Sequence, residues 1–318
     1  MRAWQTTFVG VLALVGIATA SAQTAARTPF SRIVAFGASL SDSGNAFALR
    51  GGTNAPPDYL LDPLLVPAAP YARGGHHFSN GATWIEQFAR SLGLAGSARP
   101  AFQSPGIGTN YAVAAARAYE DGLNLNLSAQ VDAFLHDAGG AAPADALYTI
   151  EIGGNDIRDA LVAYPAGTGP ILQAANIAIA DSVGRLYAAG ARNFLIWRAP
   201  NVGLTPAIRM LDRVSPGAVI LATGITQAFN GGLDGVVTQL SALPGIRIAR
   251  LDAYRLLNDI VLDPEAFGLT DVTSPCVTPN VPPFTCQRSD EFLFWDGIHP
   301  TKAVHGIIAQ EAAAVLAR

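Results

Sequence analysis

Five short apolar runs recur along the chain, at Arg32–Gly37, Asn110–Val113, Ala146–Ile152, Asn193–Arg198 and Ile246–Leu251. Each is too short for a typical helix and is bounded by turn-forming residues, the pattern of a buried strand. Between them lie stretches with helical spacing. Thr83–Leu92 opens on a capping hydroxyl and puts Trp84, Ile85, Phe88 and Leu92 on one face. Ser128–Ala138 begins on a serine cap and carries Val131, Phe134 and Leu135. Ala174–Ala189 and Ala218–Leu240 read as longer alanine-rich helices, and Lys302–Ala317 closes the chain behind Pro300. Strands that are apolar throughout, alternating with helices, predict an α/β fold with a mostly parallel central sheet covered on both faces. Ligands of such sheets bind beyond the carboxyl ends of the strands. Polar residues that follow an apolar run, Ser39 after the first and Asn155 and Asp156 after the third, are therefore predicted on one rim.

The N-terminus has the form of a secretory leader over residues 1–22. Arg2 supplies the positive start, Phe8–Ala18 the apolar region and Ala20-Ser21-Ala22 the small-residue cleavage signal. That apolar region falls short of the roughly 20 residues that span a bilayer, and no later stretch is apolar enough. Residues 23–318 are expected to form a single domain, secreted or periplasmic, with no integral membrane segment after cleavage. Export suits the two cysteines, Cys276 and Cys286, which are expected to pair in an oxidising compartment. Charged residues make up only 14% of the 318, with a net charge of −4 and no basic block, so nucleic acid is excluded as a partner. Residues 50–82 are dense in Gly and Pro and read as a long insertion loop, either shaping a cleft or decorating the surface.

The stretch "IVAFGASLSDSGN", Ile33–Asn45, ends a buried run in a serine-rich turn, for which three uses compete. A phosphate cradle fails: no G-x-x-x-x-G-K-[ST] occurs, and Gly106-Ile107-Gly108 begins a dinucleotide pattern that no third glycine completes. A metal loop fails too, because the adjacent His76 and His77 point apart and read as exposed loop histidines. A nucleophile turn remains. Ser39 needs a base, and His299 stands in "FWDGIHPTK" three residues after Asp296, a spacing that lets the carboxylate reach back to Nδ1. "TIEIGGNDI" follows a buried strand with Asn155, whose side-chain N–H is placed to donate to an oxyanion. A turn residue accepting positive φ is the bland use of the same asparagine.

Together these pieces resemble the GDSL family of esterases and lipases, the SGNH hydrolases. "FGASLSDSGN" is similar to the first family block, F-G-D-S-L-S-D-x-G-N. "GTNYAVAAARA" is similar to the second, "IGGNDI" to the third and "DGIHPT" to the last. The resemblance implies a three-layer α/β/α sandwich of the flavodoxin-like SGNH type. It implies Ser39 as nucleophile, His299 as base and Asp296 as its orienting acid. The oxyanion hole would comprise the Ser39 N–H, the Asn155 side chain and the Ala115 N–H. The expected reaction is hydrolysis of a small-molecule or lipid ester by a monomer, and the resemblance implies no metal or organic cofactor. An acyltransferase using the same acyl-enzyme, or an inactive binding module of this fold, are the rival readings. Two positions depart from the family pattern. Ala38 replaces the aspartate of its name, and Ala115 replaces a glycine. An alanine serves at 115 without cost only if its φ is negative. Asp42 and Asp156 are expected to stabilise turns.

Overall fold

The computed structural model describes residues 28–55, 63–72, 74–279 and 281–318. The leader-like residues 1–22 lie outside the described residues, as does part of the stretch at 50–82. The first half of the chain forms β1 (Ile33–Gly37), α1 (Asn45–Leu49), α2 (Trp84–Ser91), α3 (Leu127–Asp137), β2 (Leu147–Glu151), α4 (Gly154–Val162) and α5 (Thr168–Ala188). There follow β3 (Asn193–Arg198), α6 (Pro206–Val214), α7 (Ala218–Leu240), β4 (Arg247–Asp252), α8 (Ala253–Leu262), β5 (Asp271–Pro275), β6 (Phe292–Phe294) and α9 (Lys302–Leu316).

Strands β1 to β4 pair in parallel, in that order. Residues 109–113 run along the free edge of β1, where the Tyr111 N–H donates to the Ala35 carbonyl at 2.7 Å and the Val113 N–H to Gly37 at 3.1 Å. The strand expected at Asn110–Val113 is thus a line of single hydrogen bonds and no regular ladder. Its own side chains interfere: Asn110 Oδ1 accepts the Ala112 N–H at 3.0 Å, a local bond that competes with strand pairing. Counting this edge, the order across the sheet is 2-1-3-4-5 in chain sequence, the flavodoxin-like arrangement.

Alternation along each strand sends side chains to two cores. Val34, Phe36, Tyr148, Ile150, Phe194 and Ile196 pack against α3, α4, α5 and α7. Ile33, Ala35, Leu147, Leu195 and Trp197 pack against α2, α8 and α9. This is the three-layer α/β/α sandwich that the alternation of runs predicts.

Helix starts follow local chemistry. At α2 the Thr83 backbone N–H and hydroxyl both donate to Glu86 Oε2, at 2.8 and 2.9 Å, forming a capping box. At α3 the cap is Asn126, not the expected Ser128, whose hydroxyl donates to Glu120 instead. At α5 the helix begins at Thr168, ahead of the expected Ala174, because Pro170 sits in the first turn where its missing N–H costs nothing.

Beyond the main sheet, β5 and β6 pair in parallel. Cys276, just after β5, is disulfide-bonded to Cys286 with the Cα atoms 4.9 Å apart. The chain at Cys276-Val277 lies along the end of β6, the Cys276 N–H donating to Phe294 at 3.0 Å and the Val277 N–H to Trp295 at 2.9 Å. This hairpin therefore abuts the turn that carries Asp296 and His299.

Candidate active site

The turn after β1 is pinned by one buried carboxylate. Asp42 Oδ1 accepts the N–H groups of Gly44 and Asn45 at 2.8 and 2.7 Å, and Oδ2 those of Ala46 and Ala114 at 3.0 and 2.8 Å. Burial outweighs these four donors and raises the Asp42 pKa. The carboxylate is spent on backbone, as its expected turn role requires. Ahead of it the half-buried Ser39 lies at the carboxyl end of β1.

From the far end of the chain, the turn between β6 and α9 brings His299 to this rim. His299 Nε2 lies 2.9 Å from Ser39 Oγ, and Nδ1 lies 2.8 Å from Asp296 Oδ2. Asp296 is fully buried and its oxygens are saturated. Oδ1 accepts the N–H groups of Ile298 and His299 at 2.9 and 2.8 Å, and Oδ2 accepts the Tyr71 hydroxyl at 2.8 Å. A carboxylate held this way accepts from Nδ1–H and leaves Nε2 free to take the serine proton. Phe78 flanks the imidazole with ring centroids 5.4 Å apart. Gly297 is demanded by space in this turn: a Cβ there would collide with the Leu64 carbonyl oxygen.

Asn155 stands in the first turn of α4, at the carboxyl end of β2. Gly153 before it has φ +115, and a Cβ there would strike the Phe229 ring at 2.3 Å. One Asn155 amide N–H donates to the Ala116 carbonyl at 2.9 Å, which leaves the second for a ligand. Ala115 has φ +70, the left-handed conformation that carries a cost for alanine. Among the described residues the N–H groups of Ser39 and Ala115 find no acceptor. Asp156, pushed up to about 6 by burial, accepts the N–H groups of Ala118 and Tyr119 and so stabilises a turn.

Ser39, Asn155 and His299 line one pocket with Ala38, Leu40, Glu151, Gly154, Arg158, Pro200, Val202, Thr205 and Ile298; Ala115 is not among its lining residues. Beside it lies a second, almost wholly apolar chamber. The two share Leu40, Pro200, Thr205 and Ile298, and the chamber continues to Trp197, Leu256, Ile260, Leu293, Val304 and Ile308.

Three polar residues here escape a reading of motifs. Tyr71 lies in the Gly- and Pro-rich stretch, where no periodicity singles it out. Glu151 had a signal: it is the one charged residue in the apolar run Ala146–Ile152. His77 is buried rather than exposed, with Nε2 2.8 Å from Glu86 Oε2. Burial opposes its charge, but Glu86 more than offsets that and raises its pKa.

A family model described as GDSL-like Lipase/Acylhydrolase matches residues 33–312. The phosphatidylcholine-sterol acyltransferase of Aeromonas hydrophila is 25% identical, over 98% of this chain and 96% of its own. A GDSL esterase/lipase of Arabidopsis thaliana is 27% identical over 88% of each chain. The crystal structure of an extracellular lipase from Streptomyces rimosus superposes with a TM-score of 0.38 at 14% identity, covering 89% of this chain and 99% of that one.

Proposed function

The chain belongs to the GDSL-like lipase/acylhydrolase family, and from that premise we propose that it is an exported serine esterase acting through an acyl-enzyme on Ser39. The observation that carries this reading is the unbroken line from Asp296 through His299 to the Ser39 hydroxyl, at 2.8 and 2.9 Å. His299 Nε2 takes the hydroxyl proton as Ser39 Oγ bonds to the ester carbonyl carbon. Asp296 holds the resulting imidazolium. The carbonyl oxygen becomes an oxyanion, met by the free Asn155 amide N–H and the Ser39 backbone N–H, with the Ala115 N–H as a third donor. One such donor is worth about 3 kcal/mol of transition-state stabilisation. The intermediate collapses, His299 gives its proton to the leaving alcohol, and water repeats the sequence to free the acid. No step calls for a metal or organic cofactor.

The apolar chamber beside the pocket takes the acyl chain, since four residues border both spaces. Export is supported by the leader-like residues 1–22 and by a disulfide of the kind that persists in oxidising compartments.

Turnover of p-nitrophenyl butyrate, with intact-mass analysis of the quenched enzyme, tests the reading. The wild type is expected to release p-nitrophenol and gain one butyryl group at Ser39. Ser39→Ala is expected to do neither while keeping its circular dichroism spectrum. Undiminished turnover by that variant would overturn the assignment. A second reading, acyl transfer to an alcohol, is favoured by the likeness to the Aeromonas phosphatidylcholine-sterol acyltransferase. Added acceptor alcohol separates the two: a transferase yields the new ester, a hydrolase the free acid.

A further inference from the structure

Glu151 ends β2 facing the nucleophile turn and is 5% exposed. Its Oε2 accepts the Ser41 hydroxyl at 3.0 Å and lies 3.3 Å from the Ala38 nitrogen, whose N–H also reaches the Glu151 carbonyl at 3.2 Å. Ser41 Oγ in turn accepts the Trp84 indole N–H at 2.9 Å. The carboxyl is wedged against the turn: a Cβ on Gly37 would lie 3.1 Å from Oε2 and 2.3 Å from the Glu151 carbonyl oxygen. Its contacts bracket Ser39 on both sides, at 38 and 41. Ala38 itself, where the family pattern has aspartate, has no polar side chain to offer.

We propose that Glu151 is the positioning residue of the nucleophile turn, its carboxyl on β2 supplying from a neighbouring strand the side-chain anchor that Ala38 lacks. This rests on the esterase reading of Ser39 and goes beyond it. Through Ala38 and Ser41 the carboxyl fixes the backbone N–H and hydroxyl of Ser39 relative to His299 and Asn155.

The protonation state of the anchor matters because Glu151 lines the same pocket as Ser39. Burial pushes its pKa up to about 8, against the Ser41 hydroxyl and the N–H groups of Ala38 and Ser41, which pull it down. Charged groups on the surrounding elements are committed elsewhere or share the pocket. Asp42 is turned to backbone N–H groups, Asp156 to Ala118 and Tyr119, Asp296 to His299 and Tyr71, and Glu86 to Thr83 and His77. Arg158 and His299 line the pocket with Glu151. At neutral pH the anchor is the uncharged acid. As pH rises through about 8 it ionises, and a carboxylate faces the space where the oxyanion forms, so the rate falls.

The test is steady-state hydrolysis of p-nitrophenyl butyrate between pH 6 and 10 by wild type, Glu151→Gln, Glu151→Ala and Ser39→Ala. Glu151→Ala is expected to lose kcat by about 100-fold, the scale of a misplaced reacting group, with KM changed far less. Glu151→Gln, neutral at every pH, is expected to recover most of that loss and to lack the wild-type decline near pH 8. Superimposable alkaline limbs for wild type and Glu151→Gln overturn the proposal, even if Glu151→Ala fails to fold. So does full kcat in Glu151→Ala. Turnover by Ser39→Ala would bring down the esterase reading and this inference together, an outcome distinct from both.

Discussion

Among the described residues Ala115 has its N–H without an acceptor, but its backbone is one that an alanine adopts at a cost, with φ at +70. Its methyl group crowds the following carbonyl, roughly 1–2 kcal/mol in this region, while glycine has none. Glycine loses more freedom on folding, which takes back about half of that gain. Ala115→Gly is therefore expected to raise stability by about 0.5–1 kcal/mol, read from urea denaturation midpoints at unchanged slope; a loss of stability would show that the methyl packing outweighs the strain. Three of the four motif blocks single out Ser39, Asn155, Asp296 and His299, because each follows an element end with a recognisable local pattern. Such patterns carry no account of Tyr71, which meets Asp296 across 225 positions of chain. Nor do they tell whether a backbone angle is positive, the sign on which the cost of an alanine at 115 turns.

The disulfide hairpin acts on the site through its neighbours. Cys276 and Val277 pack with Tyr71 and Trp295, and the Tyr71 and Trp295 rings meet edge-on at 5.7 Å. Tyr71 then donates to Asp296, one residue beyond Trp295. Loss of the bond in Cys276→Ala/Cys286→Ala is expected to cost about 3 kcal/mol from the entropy of the short loop it closes. Because the hairpin supports both sides of Asp296, kcat is also expected to fall at temperatures where the variant stays folded. An unchanged kcat beside a lowered Tm would make the disulfide a brace for stability alone. Both cysteines and the turn were visible as sequence, and the structure adds the hydrogen bonds that join them. Helices with long apolar faces, such as α7 and α9, follow the expected bounds closely. The short α4, α6 and α8 begin directly at strand ends or turns, where periodicity has too few residues to register.

The sandwich places two spaces side by side at the carboxyl rim of the sheet: a pocket lined by Ser39, Asn155 and His299 and an apolar chamber roofed by α8 and α9. The alternation of apolar runs implied that rim, but the chamber is made by residues from β3, α8, β6 and α9, a coincidence of distant segments that no local pattern encodes. If the acyl chain enters it, each methylene taken from water contributes about 0.8 kcal/mol, or about fourfold in kcat/KM. Across p-nitrophenyl esters from acetate to palmitate, kcat/KM is expected to climb at about that rate and then level off once the chamber is full. Ile308→Phe, which extends a lining side chain from α9 into the space, is expected to bring the plateau to a shorter chain and lower the octanoate-to-acetate ratio by about tenfold. Its Tm should be followed in parallel, since overpacking costs about 1–3 kcal/mol. A flat profile in the wild type, or an unaltered ratio in a folded Ile308→Phe, would place the acyl chain outside the chamber while leaving the Ser39 chemistry untouched.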